Sequence, residues 1–98
     1  MMFDKNNRYM TRGIQKSIDI GIQLLLWNMI DEMEGQVDYL QVFEIKNLGD
    51  QMVKIVHRQE VPKYSKEYEV IGVVNYDVTI FVVDSGKEGC VMMLNWEY

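Results

Sequence analysis

The apolar side chains between residues 17 and 35 recur at intervals of three and four positions, which is the period of an α-helix. Ser17 or Asp19 can cap the start of this helix with a side-chain oxygen, and Gly35 can end it in a left-handed turn. Polar residues such as Gln23 take the opposite side. The segment therefore predicts one amphipathic helix whose apolar face is formed by Ile22, Leu25, Leu26, Met29, Ile30 and Met33.

Alternation of apolar and polar positions, with many β-branched and aromatic residues, predicts a short opening strand and five further strands. Turn-forming residues at 47–50 and 85–88 predict two hairpins. One helix followed by a run of antiparallel strands is an α+β fold, in which the helix packs on a mainly antiparallel sheet of about five strands. The pattern leaves open whether this sheet curls toward a partial barrel. The predicted strands are residues 9–14, 38–45, 51–61, 68–74, 78–84 and 89–98.

Length and composition are those of a single domain. The chain has 98 residues, 48% of them hydrophobic and 11% aromatic, so one domain over residues 1–98 is expected, with residues 1–8 flexible. The longest unbroken apolar run, residues 24–27, is far too short to span a membrane, and the start does not have the pattern of a signal peptide. A lone cysteine, Cys90, fits a reducing compartment. We therefore expect a cytoplasmic protein with no membrane partner.

The stretch HRQEVPKY, residues 57–64, holds the only histidine and the only proline of the chain. Pro62 lacks a backbone N–H and restricts the residue before it, so the strand should end there. A general base at His57 would need a positioned partner, and Glu60 or the distant Asp84 are the candidates. No serine nucleophile stands in a glycine elbow. We therefore interpret His57 as a structural or surface histidine close to the end of a strand.

Other constellations that carry chemistry are also missing from the sequence. One cysteine and one histidine are too few for an ordinary zinc site, so no metal is expected. Cys90 follows Gly89 at a predicted strand start, where a small buried side chain is a simpler interpretation than a thiolate nucleophile. The glycine-rich motifs that bind nucleotide phosphates do not occur. We expect no catalytic residue, no cofactor and no enzymatic activity.

Charge is unevenly distributed along the chain, whose formal net charge is −5. Residues 1–16 contain four basic side chains and one acidic side chain, whereas residues 17–98 contain six basic and fourteen acidic side chains. The basic start offers Arg8 and Arg12 to phosphates, but four cations form a thin footprint for nucleic acid. Weak nucleic-acid binding is therefore an alternative function and not the preferred one.

Several segments, taken in order, resemble a known family. They are NRYMTRGI at 7–14, LLLWNMIDEM at 24–33, DYLQVFEI at 38–45, KIVHRQEVPKYSKEY at 54–68, IFVVDSG at 80–86 and MMLNWEY at 92–98. Together they resemble domain-of-unknown-function family 960, which comprises small cytosolic proteins of Gram-positive bacteria and their phages. Asn95 and Trp96 depart from the family pattern. The resemblance covers nearly the whole chain and implies an α+β fold, no established activity, and carriage on a phage or other mobile element.

The function that we expect is a non-enzymatic protein-interaction module. Aromatic side chains dominate the energetics of protein interfaces, and two arginines accompany them near the N-terminus. A phage-type inhibitor that blocks a nucleic-acid enzyme is a further alternative, with the carboxylates of Asp31, Glu32, Glu34 and Asp38 in place of phosphates. The candidate partner-binding residues are Arg8, Tyr9, Arg12, Tyr64, Tyr68, Trp96 and Tyr98.

The C-terminal strand is where strand addition is expected. It has no charged side chain between Cys90 and Glu97, and an unguarded sheet edge tends to pair with another chain. If no further strand covers its outer side, this edge should pair with an unknown protein partner or with a second copy as a homodimer.

Overall fold

The computed structural model describes residues 2–98 as two helices, two short 3-10 turns and one sheet of six strands. Neither helix in this part of the chain has the length and apolar character needed to cross a bilayer. In chain order the elements are β1 (Arg8–Met10), α1 (Arg12–Ser17), α2 (Ile20–Asp31), β2 (Leu40–Gly49), β3 (Met52–Gln59), β4 (Tyr64–Ile71), β5 (Val78–Asp84), the first 3-10 turn (Gly86–Glu88), β6 (Cys90–Leu94) and the second 3-10 turn (Asn95–Glu97).

The six strands lie in the order β1-β6-β5-β2-β3-β4. Every neighbouring pair is antiparallel except β1 and β6, which run parallel. The sheet is open because its two outer strands, β1 and β4, do not pair with each other. The predicted combination of helix and mainly antiparallel sheet is confirmed. The count of about five strands was one too low, and the sheet does not close into a barrel.

The predicted helix is confirmed as α2, but a second helix, α1, precedes it in residues that were predicted as a strand. The hydroxyl of Thr11 accepts a hydrogen bond from the N–H of Ile14, so a short helix begins where a strand was expected. Ile18 has extended backbone angles and ends that helix. Asp19 then caps α2 by accepting from the N–H of Gly21, as predicted for one of the two candidate caps.

One face of the sheet carries both helices and the hydrophobic core. The apolar stripe of α2 is buried at Ile22, Leu26, Met29 and Ile30. The alternate residues of the strands that face it include Phe43, Ile45, Ile55, Ile80 and Met92, all buried. Gln23, which the pattern placed on the polar side, is buried as well, because its side-chain amide donates to the carbonyl of Ile18 at 2.8 Å. This hydrogen bond satisfies the carbonyl at the break between the two helices.

The flexibility expected of residues 1–8 stays a prediction, and the structure describes what the segment contacts. Phe3 is buried in the core, and its N–H donates to the carboxylate of Asp84 at 2.9 Å. The carbonyl of Asn7 accepts from the N–H of Cys90 at 2.8 Å, directly before β1 pairs with β6. These contacts place the N-terminal segment beside the end of β5.

Candidate functional site

The second face of the sheet carries no helix, and we call it the open face. Side chains alternate between the two faces along each strand, and residues directly opposite each other share a face. Because Phe43 and Ile80 pair with each other and face the core, Val42 and its partner Phe81 lie on the open face. The same register places there Tyr9, Leu40, Val42, Glu44, Lys46, Lys54, Val56, Arg58, Glu67, Glu69, Thr79, Phe81, Val83, Val91 and Met93.

Several aromatic side chains lie on or beside the open face, most of them near the C-terminal turn. The ring of Tyr98 meets the ring of Phe81 edge-on, with 5.4 Å between their centroids. Trp96 and Tyr98 are 65% and 66% exposed, and Tyr9 is 54% exposed. A hydrogen bond with Tyr98 raises the pKa of Tyr39, whose side chain is therefore close by. We call Tyr9, Tyr39, Phe81, Trp96 and Tyr98 the aromatic patch.

The C-terminal turn is held in place by the side chain of Glu97. Its Oε1 accepts one hydrogen bond from the Thr11 hydroxyl at 2.7 Å and another from the Leu94 N–H at 2.8 Å. Gly13 leaves room for this carboxylate, since a Cβ at that position would lie 2.6 Å from Glu97 Oε2. No pattern in the sequence predicts this contact, because Thr11 and Glu97 are 86 positions apart.

Charged side chains occupy the other half of the open face. Lys54 lies 2.9 Å from the carboxylate of Glu67, and this hydrogen bond raises the pKa of Lys54. Arg58 lies 3.7 Å from Glu44 on the neighbouring strand. A groove of about 520 Å³ runs between this charged region and the C-terminal turn. Its lining residues are Glu44, Ile45, Lys46, Lys54, Val56, Asp77, Val78, Thr79, Asn95 and Trp96.

The predicted partner-binding residues do not form one cluster. The structure brings Tyr9, Trp96 and Tyr98 to the open face. Tyr64 and Tyr68 are half-buried on the outer strand β4, opposite Gln59 and Ile55, and therefore lie on the face that carries the helices. They belong to a different surface.

The two predicted arginines lie in different environments. The guanidinium of Arg8 donates to the carboxylate of Asp31 at 3.1 Å and to the carbonyl of Phe3 at 2.8 Å. It also lies 4.7 Å from the ring centre of Trp27. Arg12 is exposed as the first residue of α1. The hydrogen-bonding groups of Arg8 are therefore used within the chain, whereas Arg12 faces solvent.

The C-terminal strand is not a sheet edge, so the condition set for strand addition there is not met. β6 lies between β5 and β1, and β1 pairs with it from Cys90 to Met92. The longer outer strand of the described sheet is β4, which carries Lys66, Glu67 and Glu69. Charges on an outer strand discourage pairing with other chains. The sequence could not identify the outer strands, because strand order depends on contacts distant along the chain.

His57 is completely buried and belongs to a network of glutamine side chains. Its Nε2 lies 2.7 Å from Gln41 Oε1, and the amide of Gln41 donates to Gln59 Oε1 at 2.7 Å. Since the Gln41 nitrogen is a donor, its oxygen accepts, and Nε2 of His57 carries the proton. The ring stacks on Phe43 with 4.3 Å between centroids. Burial lowers the pKa of His57 to about 4, so the ring is neutral at pH 7.

Cys90 is, after His57, the second side chain in the sequence that was considered for a chemical role. It is buried beside the N-terminal segment, and its Sγ lies 3.1 Å from the carbonyl of Asn7. Burial raises the pKa of the Cys90 thiol, which is the opposite of what an activated nucleophile requires. Among residues 2–98, no group of three or more histidine, cysteine or carboxylate side chains could hold a metal ion.

Comparison with known proteins gives a fold and a family. No curated protein matches the chain. A crystal structure of a protein of unknown function from Enterococcus faecalis is similar over 100% of this chain and 96% of that one, with a TM-score of 0.87 and 22% sequence identity. At that identity the likeness shows the fold alone. A family model described as "Staphylococcal protein of unknown function (DUF960)" matches residues 7–97. The chain therefore belongs to the DUF960 family.

Proposed function

We propose that this protein is a non-enzymatic protein-interaction module that binds its partner through the aromatic patch on the open face. The observation that supports this proposal is that Tyr9, Trp96 and Tyr98, each more than half exposed, lie on the same sheet face, which carries no helix. Exposed aromatic side chains in one place mark interaction surfaces more often than scattered apolar residues do. Tyrosine and tryptophan are also the side chains that contribute most to binding energy.

The contacts that hold the C-terminal turn and Tyr98 are made within the chain, which lowers the cost of binding a partner there. Glu97 ties the C-terminal turn to Thr11, and Tyr98 rests against Phe81. Less side-chain and backbone freedom is then lost when the complex forms. The proposal includes a cytoplasmic location, which the unpaired and buried Cys90 supports.

The alternative functions have weaker support. Nucleic-acid binding relied on the basic start of the chain, and the guanidinium of Arg8 is bound to Asp31 and Phe3. Inhibition of a nucleic-acid enzyme relied on carboxylates near the end of α2. Asp31 is paired with Arg8, and the carboxylate of Asp38 accepts from the N–H of Tyr39 at 2.8 Å. We therefore prefer a protein partner on the open face.

Affinity capture with matched variants tests the proposal. Tyr9→Ala and Tyr98→Ala remove exposed rings from the aromatic patch, while Leu24→Ala removes an equally exposed side chain from the outer side of α2. We expect the wild type and Leu24→Ala to retain the same protein, and the two tyrosine variants to lose it. Equal retention by all four chains would place the partner elsewhere. No retained protein with any of them would remove the proposal.

A further inference from the structure

The outer strand β4 leaves half of its backbone hydrogen-bonding groups free. It pairs with β3 over all of its residues without a shift in register. Directly after the strand, the N–H of Gly72 donates to the carbonyl of Gln51 at 2.9 Å. Alternate residues of an antiparallel strand bond to the same neighbour, so the even-numbered residues of β4 bond to β3. The N–H and carbonyl groups of the odd-numbered residues therefore point outward from the edge of the sheet, and these residues are Ser65, Glu67, Glu69 and Ile71.

This free edge is long and uncovered. β4 has eight residues, more than the usual strand length of about 5–6, and none of them is buried. It contains no proline and no bulge, which are common means of blocking an edge. A free edge of this kind can accept another extended chain through backbone hydrogen bonds. Only the charged side chains of β4 limit which chain can be added.

The two faces of β4 differ in charge. On the open face, Glu67 and Glu69 are exposed and share one lysine, because Lys54 lies 2.9 Å from Glu67 and directly opposite Glu69. On the face that carries the helices, Lys66 has no carboxylate within 4.0 Å among residues 2–98. The edge is therefore negative on the open face and positive on the other face.

Two tyrosines lie on either side of Lys66 on its face of β4. The ring of Tyr64 meets the buried ring of His57 edge-on, with 5.2 Å between their centroids, and Tyr68 packs against the hydrophobic core. Both side chains are half-buried, so each ring is held by the fold and still has accessible surface. An added strand would find an apolar surface on both sides of the lysine.

A second copy of β4 does not match this pattern. Residues that are directly opposite each other in an antiparallel pair lie on the same face, so two β4 strands would bring acidic face beside acidic face. Charges on an edge prevent pairing with like-charged strands and still permit pairing with a strand of opposite charge. The partner that fits is therefore a different chain.

We propose that β4 accepts an extended segment of another protein as a further strand of the sheet. Basic side chains of this segment lie beside Glu67 and Glu69 on the open face. On the other face, one of its carboxylates lies beside Lys66 and its apolar side chains lie against the two tyrosines. β4 is at the opposite edge of the sheet from β1 and Tyr9, so this surface is separate from the aromatic patch. The inference thus goes beyond the interaction proposed above.

An NMR titration of the purified protein tests the edge with a capped heptapeptide, valine-lysine-valine-lysine-glutamate-threonine-valine. Antiparallel pairing can place its lysines opposite Glu69 and Glu67 and its glutamate opposite Lys66. We expect millimolar peptide to shift the amide signals of β4. A second peptide, in which lysines and glutamate are exchanged, should bind roughly tenfold more weakly, because three opposed pairs then carry like charges. Glu69→Lys should reduce the difference between the two peptides.

Single N-methyl groups on the first peptide test whether the backbone is paired. Methylation of the lysine opposite Glu67 removes an N–H that would donate to β4, whereas methylation of the valine opposite Tyr68 removes one that would point away. The first change should weaken binding roughly tenfold, as loss of a backbone hydrogen bond does, and the second should weaken it far less.

Three results would overturn the proposal. They are no shift of the β4 signals with the first peptide, equal affinity for the charge-exchanged peptide, and equal losses from the two N-methyl groups. Signals of α2 report whether the Glu69→Lys variant is folded, and the substituted side chain is exposed. Tyr98→Ala should bind the first peptide as the wild type does, so the outcome does not depend on the interaction proposed for the aromatic patch.

Discussion

The hydroxyl of Thr11 donates a hydrogen bond of 2.7 Å to the carboxylate of Glu97, and this contact joins the first helix to the C-terminal turn. The same hydroxyl accepts from the N–H of Ile14 as the cap of α1. One side chain thus begins a helix and anchors the turn that carries Trp96 and Tyr98. The two ends of the described chain are coupled through it.

This coupling predicts non-additive effects in a double-mutant cycle. Thr11→Ala should cost about 0.5–2 kcal/mol, because it removes the cap as well as the contact with Glu97. Glu97→Gln in the Thr11→Ala background should then cost less than in the wild type, by at least ~0.5 kcal/mol. Urea denaturation measures the free energy of unfolding of the wild type, the two single variants and the double variant. Glu88→Gln, at an exposed carboxylate elsewhere, is the control and should be additive with Thr11→Ala.

Packing of α2 on the sheet predicts that alanine substitutions lower stability strongly at its buried positions and hardly at all at its exposed ones. Leu26 and Ile30 are buried, so replacing either with alanine should cost roughly 2–5 kcal/mol. Leu24 is 61% exposed on the same helix, and Leu24→Ala should change stability by less than about 0.5 kcal/mol. Thermal and urea unfolding measure the differences. If Leu26→Ala melts like the wild type, α2 does not pack on the sheet through this side chain.

Burial of His57 predicts a loss of stability in mild acid. The pKa of the folded state is about 4, below the ordinary 6.5, so the unfolded chain binds the proton more readily. The contribution of the neutral ring is complete above pH 6.5 and is lost as the pH falls toward 4. Between pH 7 and pH 5 the free energy of unfolding should fall by about 2 kcal/mol from this group.

The matched variant for this prediction is His57→Phe, which keeps a ring beside Phe43 but cannot titrate. It should be less stable than the wild type at pH 7, because Gln41 Oε1 loses its donor. Its stability should nevertheless vary less with pH between 7 and 5. Parallel pH profiles for the two proteins would show that other groups cause the acid sensitivity.

We expect replacement of Arg8 to lower the stability of the fold and not to change nucleic-acid binding. Its side chain is 14% exposed and bonded to Asp31 and Phe3, so Arg8→Ala should cost about 1–3 kcal/mol. Arg12→Ala, at an exposed position, should cost little. Neither the wild type nor the variants should bind DNA or RNA at low salt. Binding that weakens steeply with salt, and whose salt dependence Arg8→Ala reduces, would contradict this assignment.

The sequence predicted those parts of the fold that depend on local periodicity. The stripe of α2 and the strand at residues 78–84 appear where the pattern placed them. The first helix was missed, because YMTRGI has β-forming residues at alternate positions and its helix depends on the hydroxyl of Thr11. Strand order could not be predicted either, since the pairing of β1 with β6 joins residues about eighty positions apart.

The site was only partly predictable for the same reason. Tyr9, Trp96 and Tyr98 were selected as exposed aromatics, and the sheet register brings them to one face. Tyr64 and Tyr68 were selected on equal grounds but lie on the other face. The face on which a residue lies depends on the strand order and on which side the helices cover.

Photocrosslinking in cells tests the open-face interaction most directly. A photoreactive phenylalanine replaces Tyr98 in one chain and Leu24 in another, so that one probe lies on the aromatic patch and the other on the outer side of α2. We predict a discrete adduct with one protein at position 98 and none at position 24. Absence of an adduct at position 98, or the same adduct at both positions, would contradict a partner on the open face.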